Sequence, residues 1–283
     1  MYIATGENID GWVIKIKLEN KEDVVIGIVT NENIAGNWII KIKDNSYTEE
    51  IPLIEKYIIG CENAIKIPKN IKWHGTDKER SLRWYVMEQY RGDISKNFMF
   101  ARKNWKLLLS DVLNFFKHIH LQGIIHGDIK TKNILYRETP VKFCVNDYEF
   151  VGKPTKNNIN TKKYVEYYYS YLGIPHGKQW FGYRADLTAF GYILWNVLVA
   201  NKNGEQNLLW QLNAIDYYNK RETRDYHFEI DLDRNLSIEL NMPNMIKNYF
   251  NILESLEWNR VEPPESSLYD ELNNVALFEG AAE

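Results

Sequence analysis

The sequence is poor in the features that mark secreted, membrane-spanning and nucleic-acid-binding proteins. Its two cysteines, Cys61 and Cys144, lack the spacing of a metal site, so we expect free thiols and a reducing compartment. A formal charge of −3 gives no general attraction to nucleic acid or to an anionic membrane. The most apolar stretch, residues 189–200, is too short to cross a bilayer. With no signal-peptide pattern at the start, we expect an intracellular protein, cytoplasmic or nuclear.

Hydrophobic residues make up 45% of the 283 positions and charged residues 26%, as in a folded protein. This length favours one domain or two closely joined lobes. In the first third, three stretches rich in β-branched and aromatic residues predict consecutive antiparallel strands, at 12–18, 23–30 and 37–43. A short helix over 49–60, with Pro52 in its first turn, and a further strand within 81–90 complete this region.

The remainder of the chain changes to helical periodicity. Apolar residues spaced for one helix face predict three long helices, over 104–123, 184–201 and 242–258. The final stretch, 263–283, contains no lysine or arginine and predicts either a flexible extension or a docked short helix. The sequence therefore predicts a β-rich region over 1–87, a helical region over 88–262 and an acidic tail.

One short segment, IIHGDIKTKNILY at 124–136, carries the groups that phosphoryl transfer to a hydroxyl requires. Asp128 is placed to orient a hydroxyl and accept its proton, Lys130 to balance phosphoryl charge, and Asn133 to ligate a metal ion. Asp147, at the end of a predicted strand, is the natural second metal ligand. A lone Asp in a loop is more often a turn residue, but this combined spacing makes that interpretation improbable.

With these motifs, the sequence resembles the eukaryotic protein kinase superfamily, and within it the casein kinase 1 and vaccinia-related kinase group. HGDIKTKN resembles the catalytic loop, NDYEF the metal-binding motif, and YLGIPHGKQWFGYRADLTAFGYILW the end of the activation segment with the following helix. The resemblance covers roughly residues 10 to 262. It implies an α+β, two-lobed protein kinase-like fold, with an antiparallel β N-lobe and a mainly α-helical C-lobe. It also implies a protein that uses ATP and Mg²⁺.

The resemblance also implies roles in nucleotide binding. Lys41 is similar to the strand lysine that contacts the α- and β-phosphates, and Glu55 would be its helix partner. Met87 would be the gatekeeper, and Glu88 and Tyr90 would meet adenine through their backbone groups. The apolar residues above and below the base would be Ile26, Ile39 and Leu135.

Two further positions bear on regulation and on the catalytic loop. Asp186 would anchor the loop backbone, which is a structural role. Gly127 stands where many kinases have arginine, so the usual cationic partner of a phosphorylated activation loop is missing. We therefore expect activity that does not depend on activation-loop phosphorylation.

The sequence leaves open two positions for the phosphate-binding loop. GENIDGWV, at 6–13, imitates the glycine spacing but lies far before Lys41. Counting back from Lys41 over two strands favours 19–25, which has no glycine and carries three acids. Glu149 also replaces the usual glycine after Asp147 and Tyr148. Nucleotide affinity is therefore expected to be the weakest feature.

The favoured interpretation is an ATP-dependent protein serine/threonine kinase, a monomer that acts on a protein substrate and binds no specific nucleic acid and no membrane. One alternative is a weak or inactive pseudokinase that binds a docking partner, which the glycine-free loop favours. Another is a small-molecule kinase of the aminoglycoside or choline type, which also uses HGD followed by Asn. Lys130 and the YLGIP segment favour the protein kinase branch over this last alternative.

Overall fold

The computed structural model describes residues 3–21, 24–44, 50–154, 182–199, 243–257 and 260–277. The chain divides into two compact units, and the division falls between Arg91 and Gly92.

The first unit is built on one antiparallel sheet with the strand order β1-β2-β3-β4-β6-β5. The three strands predicted early in the chain are confirmed, and their observed ends lie within three residues of the predicted ones. Two strands were not predicted, the two-residue β1 and the edge strand β5. The strands are β1 (Asn8–Ile9), β2 (Trp12–Asn20), β3 (Val24–Asn31), β4 (Ile34–Asp44), β5 (His74–Asp77) and β6 (Leu82–Glu88).

Both faces of this sheet are covered at its centre. Because side chains alternate along a strand, Ile40 and Ile42 of β4 point to one face, where they join an apolar core with Trp84 and Val86 of β6. Ile39, Lys41 and Lys43 point to the opposite face. The sheet thus separates its apolar core from a face that carries two lysines.

A short helix, α1 (Glu50–Leu53), follows β4 and continues as a π-helical turn over Ile54–Ile58. The wider turn is closed by a hydrogen bond from the Ile59 amide to the Ile54 carbonyl, at 2.9 Å. Pro52 lies in the first turn, where its missing N–H is tolerated, as predicted. Gly60 has a φ of +95°, which lets the chain leave the helix.

The second unit is mainly helical, with one small sheet in the order β7-β8-β9. The helix predicted over 104–123 is confirmed: its apolar face is buried, and Gly123 follows it with a φ of +76°. Short 3₁₀ turns lie at Ile94–Lys96 and Thr131–Asn133. The longer elements are β7 (Gly92–Asp93), α2 (Phe98–Lys103), α3 (Trp105–His120), β8 (Ile134–Glu138), β9 (Val141–Val145), α4 (Tyr183–Val199), α5 (Asn244–Glu254) and α6 (Ser266–Asn274).

The acidic tail forms a docked helix, the second of the two predicted outcomes. Tyr269 and Leu272 on α6 are fully buried, and α6 packs against α3 and α5. Among the described residues, no helix has both the length and the apolar composition that crossing a membrane requires.

Candidate active site

The loop between α3 and β8 carries Asp128. Its backbone is fixed by two hydrogen bonds between Ile125 and Gly152, at 2.8 and 3.1 Å. Gly127 has a φ of +77°, which glycine adopts without strain. A larger residue at 127 would therefore strain the backbone immediately before Asp128.

Asp128 is buried and is held by two neighbours from the same loop. Lys130 Nζ lies 2.6 Å from Asp128 Oδ2. Asn133 Nδ2 donates to the same oxygen at 2.9 Å and to the backbone carbonyl of Asp128 at 2.8 Å. The 3₁₀ turn at Thr131–Asn133 brings Asn133 back onto the loop. Three residues that the sequence placed together are therefore in contact.

Burial raises the pKa of Asp128 above its ordinary value, and the charge of Lys130 opposes that rise. A carboxylate works best as a general base when its pKa approaches the working pH, provided that it stays ionised. The surroundings of Asp128 therefore suit the acceptance of a proton.

His126 packs within the loop and makes backbone hydrogen bonds. Its Nδ1 accepts from the Asp128 amide at 3.2 Å, so the ring proton lies on Nε2, which donates to the Asn146 carbonyl at 3.0 Å. The ring is fully buried between Phe115 and Tyr148. These contacts make His126 a packing and positioning residue.

Asp186, in the first turn of α4, anchors the loop as the resemblance implied. Its Oδ2 accepts from the His126 amide at 2.6 Å and its Oδ1 from the Gly127 amide at 2.9 Å. Only 1% of Asp186 is exposed, so both charge-assisted bonds are shielded from water. Both amides immediately before Asp128 are thus fixed by a single carboxylate.

Asp147 follows the end of β9 and has a φ of +67°, in the left-handed region that few residues other than glycine adopt. Such strain is concentrated at functional sites. The amide of Asn146 donates to the Asn133 carbonyl at 2.8 Å, which joins the residue before Asp147 to the residue before β8. The structure thus keeps Asn133 and Asp147 near each other.

The donor set at Asn133 and Asp147 fits Mg²⁺. An amide oxygen and a carboxylate are the hard oxygen ligands that this ion prefers, and phosphate and water commonly supply the rest of its coordination. Nδ2 of Asn133 donates a hydrogen bond to Asp128, so Oδ1 is the atom of the Asn133 side chain that can ligate a metal. In the described part of the chain, His, Cys, Asp and Glu form no group of three or more suited to a metal.

In the first unit, the ion-pair partner of Lys41 is Glu50. Lys41 Nζ lies 3.1 and 3.2 Å from the two carboxylate oxygens of Glu50, and the Tyr85 hydroxyl donates to Oε1 at 2.9 Å. Lys43 Nζ is 3.7 Å from Oε2. Glu50 is 6% exposed, so one buried carboxylate serves two lysines and a tyrosine.

The prediction that Glu55 pairs with Lys41 was wrong. The Glu55 carboxylate contacts His74 Nε2 at 3.1 Å, and half of the side chain is exposed. The helix begins at Glu50, and its first turn points the Glu50 carboxylate at Lys41 of β4.

The predicted apolar residues of the first unit share a sheet face with Lys41. Ile26 is directly opposite Lys41, and Ile39 is directly opposite Met87, and residues so paired project to the same face. Ile16, which the sequence reasoning missed, lies in the same cross-strand row as Ile39 and is 53% exposed. Alternation along the sequence would put Ile16 on the same face as Ile14, but the strand pairing shifts between these two residues, so the sequence carries no signal for it.

The structure also places the remaining predicted nucleotide residues. The Glu88 amide donates to the Lys66 carbonyl at 2.8 Å. The backbone N–H of Glu88 therefore already has an acceptor within the first unit. Tyr90 is half-buried after β6. Leu135 is half-buried on β8 in the second unit, paired with Cys144. Their contacts with a nucleotide stay predictions.

The two stretches considered for the phosphate loop form separate hairpins. Residues 19–25 span the β2–β3 connection, where the Lys21 amide donates to the Val24 carbonyl at 2.8 Å. Glu19 forms an ion pair with Lys21. Residues 6–13 include the β1–β2 turn, one strand further from Lys41. Glu22 and Asp23, and the YLGIP segment, lie outside the described residues.

Comparisons with known proteins agree with this arrangement. Serine/threonine-protein kinase D of Synechocystis is 28% identical over 125 residues, which are 44% of this chain and 23% of that protein. Cyclin-dependent kinase C-2 C of Arabidopsis thaliana is 25% identical over 216 residues, 69% of this chain and 33% of the relative. The chain thus spans a third or less of the length of these curated relatives.

Solved structures show the same fold. The kinase domain of Mycobacterium tuberculosis PknI, as a double mutant, superposes with a TM-score of 0.57 at 12% identity and covers 98% of this chain and 100% of its own. The predicted protein kinase-like fold is therefore confirmed. The family model described as the protein kinase domain matches residues 10–255. The chain belongs to the protein kinase domain family.

Proposed function

We propose that this protein transfers the γ-phosphate of Mg-ATP to the serine or threonine hydroxyl of a protein substrate. The observation that carries the proposal is the contact of buried Asp128 with buried Asn133 and partly exposed Lys130, at distances of 2.6 to 2.9 Å. Phosphoryl transfer depends chiefly on positioning and on charge stabilisation, and this group offers both.

Each residue of the second unit has a distinct role in this proposal. Asp128 orients the substrate hydroxyl and accepts its proton on a carboxylate oxygen. Lys130 keeps that carboxylate ionised and balances the negative charge of the transferring phosphoryl group. Asn133 and Asp147 would hold Mg²⁺ through side-chain oxygens. When bound, the ion neutralises phosphate charge and aligns the phosphates.

The first unit contributes Lys41 as the ligand of the α- and β-phosphates. Glu50 fixes the direction of the Lys41 ammonium group, and Tyr85 fixes Glu50. Ile26, Ile39 and Met87 on the same sheet face would contact the adenine ring, as would the backbone groups of Glu88 and Tyr90. The casein kinase 1 and vaccinia-related kinase group is supported by HGDIKTKN and by the residues around Asp186.

A pseudokinase is the second candidate, and the β2–β3 hairpin favours it. Its connection has no glycine, so its backbone approaches phosphates less closely. Glu19 lies directly opposite Ile26, in the same cross-strand row as Lys41. Its ion pair with Lys21 offsets part of the repulsion that a carboxylate would exert on phosphate. In this alternative the protein acts by binding another protein.

Transfer of labelled phosphate from ATP, with Mg²⁺, separates the candidates. The acceptors are the protein itself, casein, histone and a basic protein, and Asp128→Asn serves as the matched inactive variant. We expect transfer by the parent chain and loss of transfer in the variant. No transfer by either, with an active control kinase in parallel, favours the pseudokinase. Turnover of choline or an aminoglycoside, without any protein acceptor, would replace the proposal with a small-molecule kinase.

A further inference from the structure

Helix α6 lies beyond the stretch that the family model matches, which ends at residue 255, yet it is fixed firmly in the second unit. Tyr269 and Leu272 are 2% and 0% exposed. On its outer side, Asp270 forms an ion pair with Lys117 of α3 at 2.9 Å. Helix α6 is thus held in the second unit by apolar packing on its inner side and by an ion pair on its outer side.

A continuous series of buried hydrogen bonds connects α6 to the catalytic loop. The Tyr269 hydroxyl lies 2.7 Å from Nδ1 of His120, and Nε2 of His120 lies 3.1 Å from Oδ2 of Asp186. The same Asp186 carboxylate accepts from the amides of His126 and Gly127. Tyr269, His120 and Asp186 are each at most 2% exposed.

The donors and acceptors in this series have a defined direction. A carboxylate only accepts, so Nε2 of His120 donates to Asp186, and Nδ1 then accepts from the Tyr269 hydroxyl. Burial lowers the pKa of His120 and raises the pKa of Tyr269. The ring therefore keeps a single proton, and the hydroxyl keeps its own.

We propose that Tyr269 is a positioning residue for the catalytic loop, acting through His120 and Asp186. Its hydroxyl holds His120 in the tautomer that donates to Asp186, and Asp186 holds the two amides that precede Asp128. Without the hydroxyl, Nδ1 is a buried acceptor with no donor. The ring is then held by hydrogen bonding through Nε2 alone, so it can shift within its pocket and loosen the Asp186 carboxylate. The kinetic consequence, though not the geometry, rests on the proposed function.

The test compares Tyr269→Phe with Tyr249→Phe. Tyr249 is also a fully buried tyrosine of the second unit, and its hydroxyl donates to the Leu187 carbonyl at 2.9 Å. Each variant loses one buried hydroxyl, but only the first loses a bond to His120. The first readout is hydrogen exchange at the amides of His126 and Gly127.

We expect exchange at these two amides to rise about tenfold or more in Tyr269→Phe, relative to the amides of β9, and not in Tyr249→Phe. Equal changes in both variants, or no change in either, would overturn the positioning role. The kcat for phosphate transfer should fall about five- to tenfold in Tyr269→Phe with an unchanged KM for ATP. A rise in the KM for ATP with kcat unchanged would also overturn it.

Two outcomes keep this proposal distinct from the proposed function. If the parent has no kinase activity but the exchange rates respond as expected, the proposed function fails and the positioning role stands. If Tyr269→Phe does not fold, ¹⁵N-histidine NMR spectra of the parent chain test the proposal by showing which nitrogen of His120 carries the proton. A proton on Nε2 of His120 and none on Nδ1 supports the proposal, and a proton on Nδ1 overturns it.

Discussion

Each unit contains a buried carboxylate beside a lysine, but the two pairs are assembled differently. Asp128 meets Lys130 two residues away, inside one loop. Glu50 meets Lys41 across the gap between a helix and a strand. The first pair depends on the local shape of a turn. The second depends on the register of α1 over the sheet, so a small change in that register separates the charges.

The two pairs also differ in what surrounds them. Asp128 is supported by Asn133 and by the backbone that Asp186 anchors. Glu50 has two lysines and Tyr85 for partners, and its contact with Lys43 is longer, at 3.7 Å. The comparison teaches that several hydrogen bonds fix the loop around Asp128, whereas in the first unit two lysines share the Glu50 carboxylate. Four variants test that difference.

Asp128→Asn should have the largest effect on activity and no adverse effect on stability. Loss of the proton acceptor should reduce phosphate transfer by about 10²- to 10⁴-fold. Because burial raises the pKa of Asp128 in the folded chain, ionisation of this group opposes folding at pH 7. We therefore expect the melting temperature of the variant at pH 7 to equal or exceed that of the parent.

The pH dependence checks the sign of this effect. The folded-state pKa of Asp128 lies above its unfolded value, so its cost to folding is present above both values and disappears as the pH falls to the unfolded value. The difference in melting temperature should therefore shrink between pH 7 and the acid range. A variant that melts lower than the parent at pH 7 would show that the carboxylate stabilises the loop.

Glu50→Gln should reduce kcat/KM for ATP about 10- to 100-fold, since it removes the charge that fixes Lys41. Glu55→Gln is the matched control, because the half-exposed Glu55 carboxylate contacts His74 of β5, whereas Lys41 contacts Glu50. We expect a change of less than about twofold there. Equal losses in both variants would restore the predicted Glu55 pairing.

Asn133→Ala should raise the Mg²⁺ concentration required for half-maximal activity by about tenfold, since one of two protein ligands is lost. Lys132→Ala, an exposed neighbour in the same 3₁₀ turn, controls for the turn itself. If Mg²⁺ titrations of the two variants coincide with the parent, Asn133 serves only to hold Asp128 through its Nδ2 group.

Glu19→Gln should have the smallest effect. The carboxylate forms an exposed ion pair with Lys21, and such pairs contribute about 0.2–1 kcal/mol, so KM for ATP should change less than about fivefold. The expected direction is a lower KM, because a negative charge near the phosphates is removed. A decrease of more than tenfold in an ATP-binding titration would show that the glycine-free hairpin directly opposes the nucleotide.

The catalytic loop was predictable because its chemistry is local. The three residues Asp128, Lys130 and Asn133 lie within six positions of one another. A single turn brings them together without contributions from distant parts of the chain. The strands were predictable for a similar reason, since β-branched runs favour extended structure. Asp186 required the resemblance, because nothing in its own surroundings indicates contact with residues sixty positions away.

The wrong and missed predictions concern features that depend on contacts between elements far apart in the sequence. The choice between Glu50 and Glu55 depends on where α1 begins and how it lies on β4, which neither propensity nor spacing specifies. The π-helical turn over Ile54–Ile58 moves Glu55 away from the position that a regular helix would give it. The strand β5, with the sequence HGTD, has little intrinsic preference for extended structure and forms by pairing with β6.

The position of α6 has a practical consequence for fragments of this chain. A kinase fragment cut at the end of the family match, residue 255, would remove the buried side chains of Tyr269, Leu272 and Val275. Exposing the apolar surface that they cover costs about 1.5–3 kcal/mol per side chain, which is a large part of a domain's stability. Such a fragment should aggregate, and its inactivity would say nothing about the chemistry of Asp128.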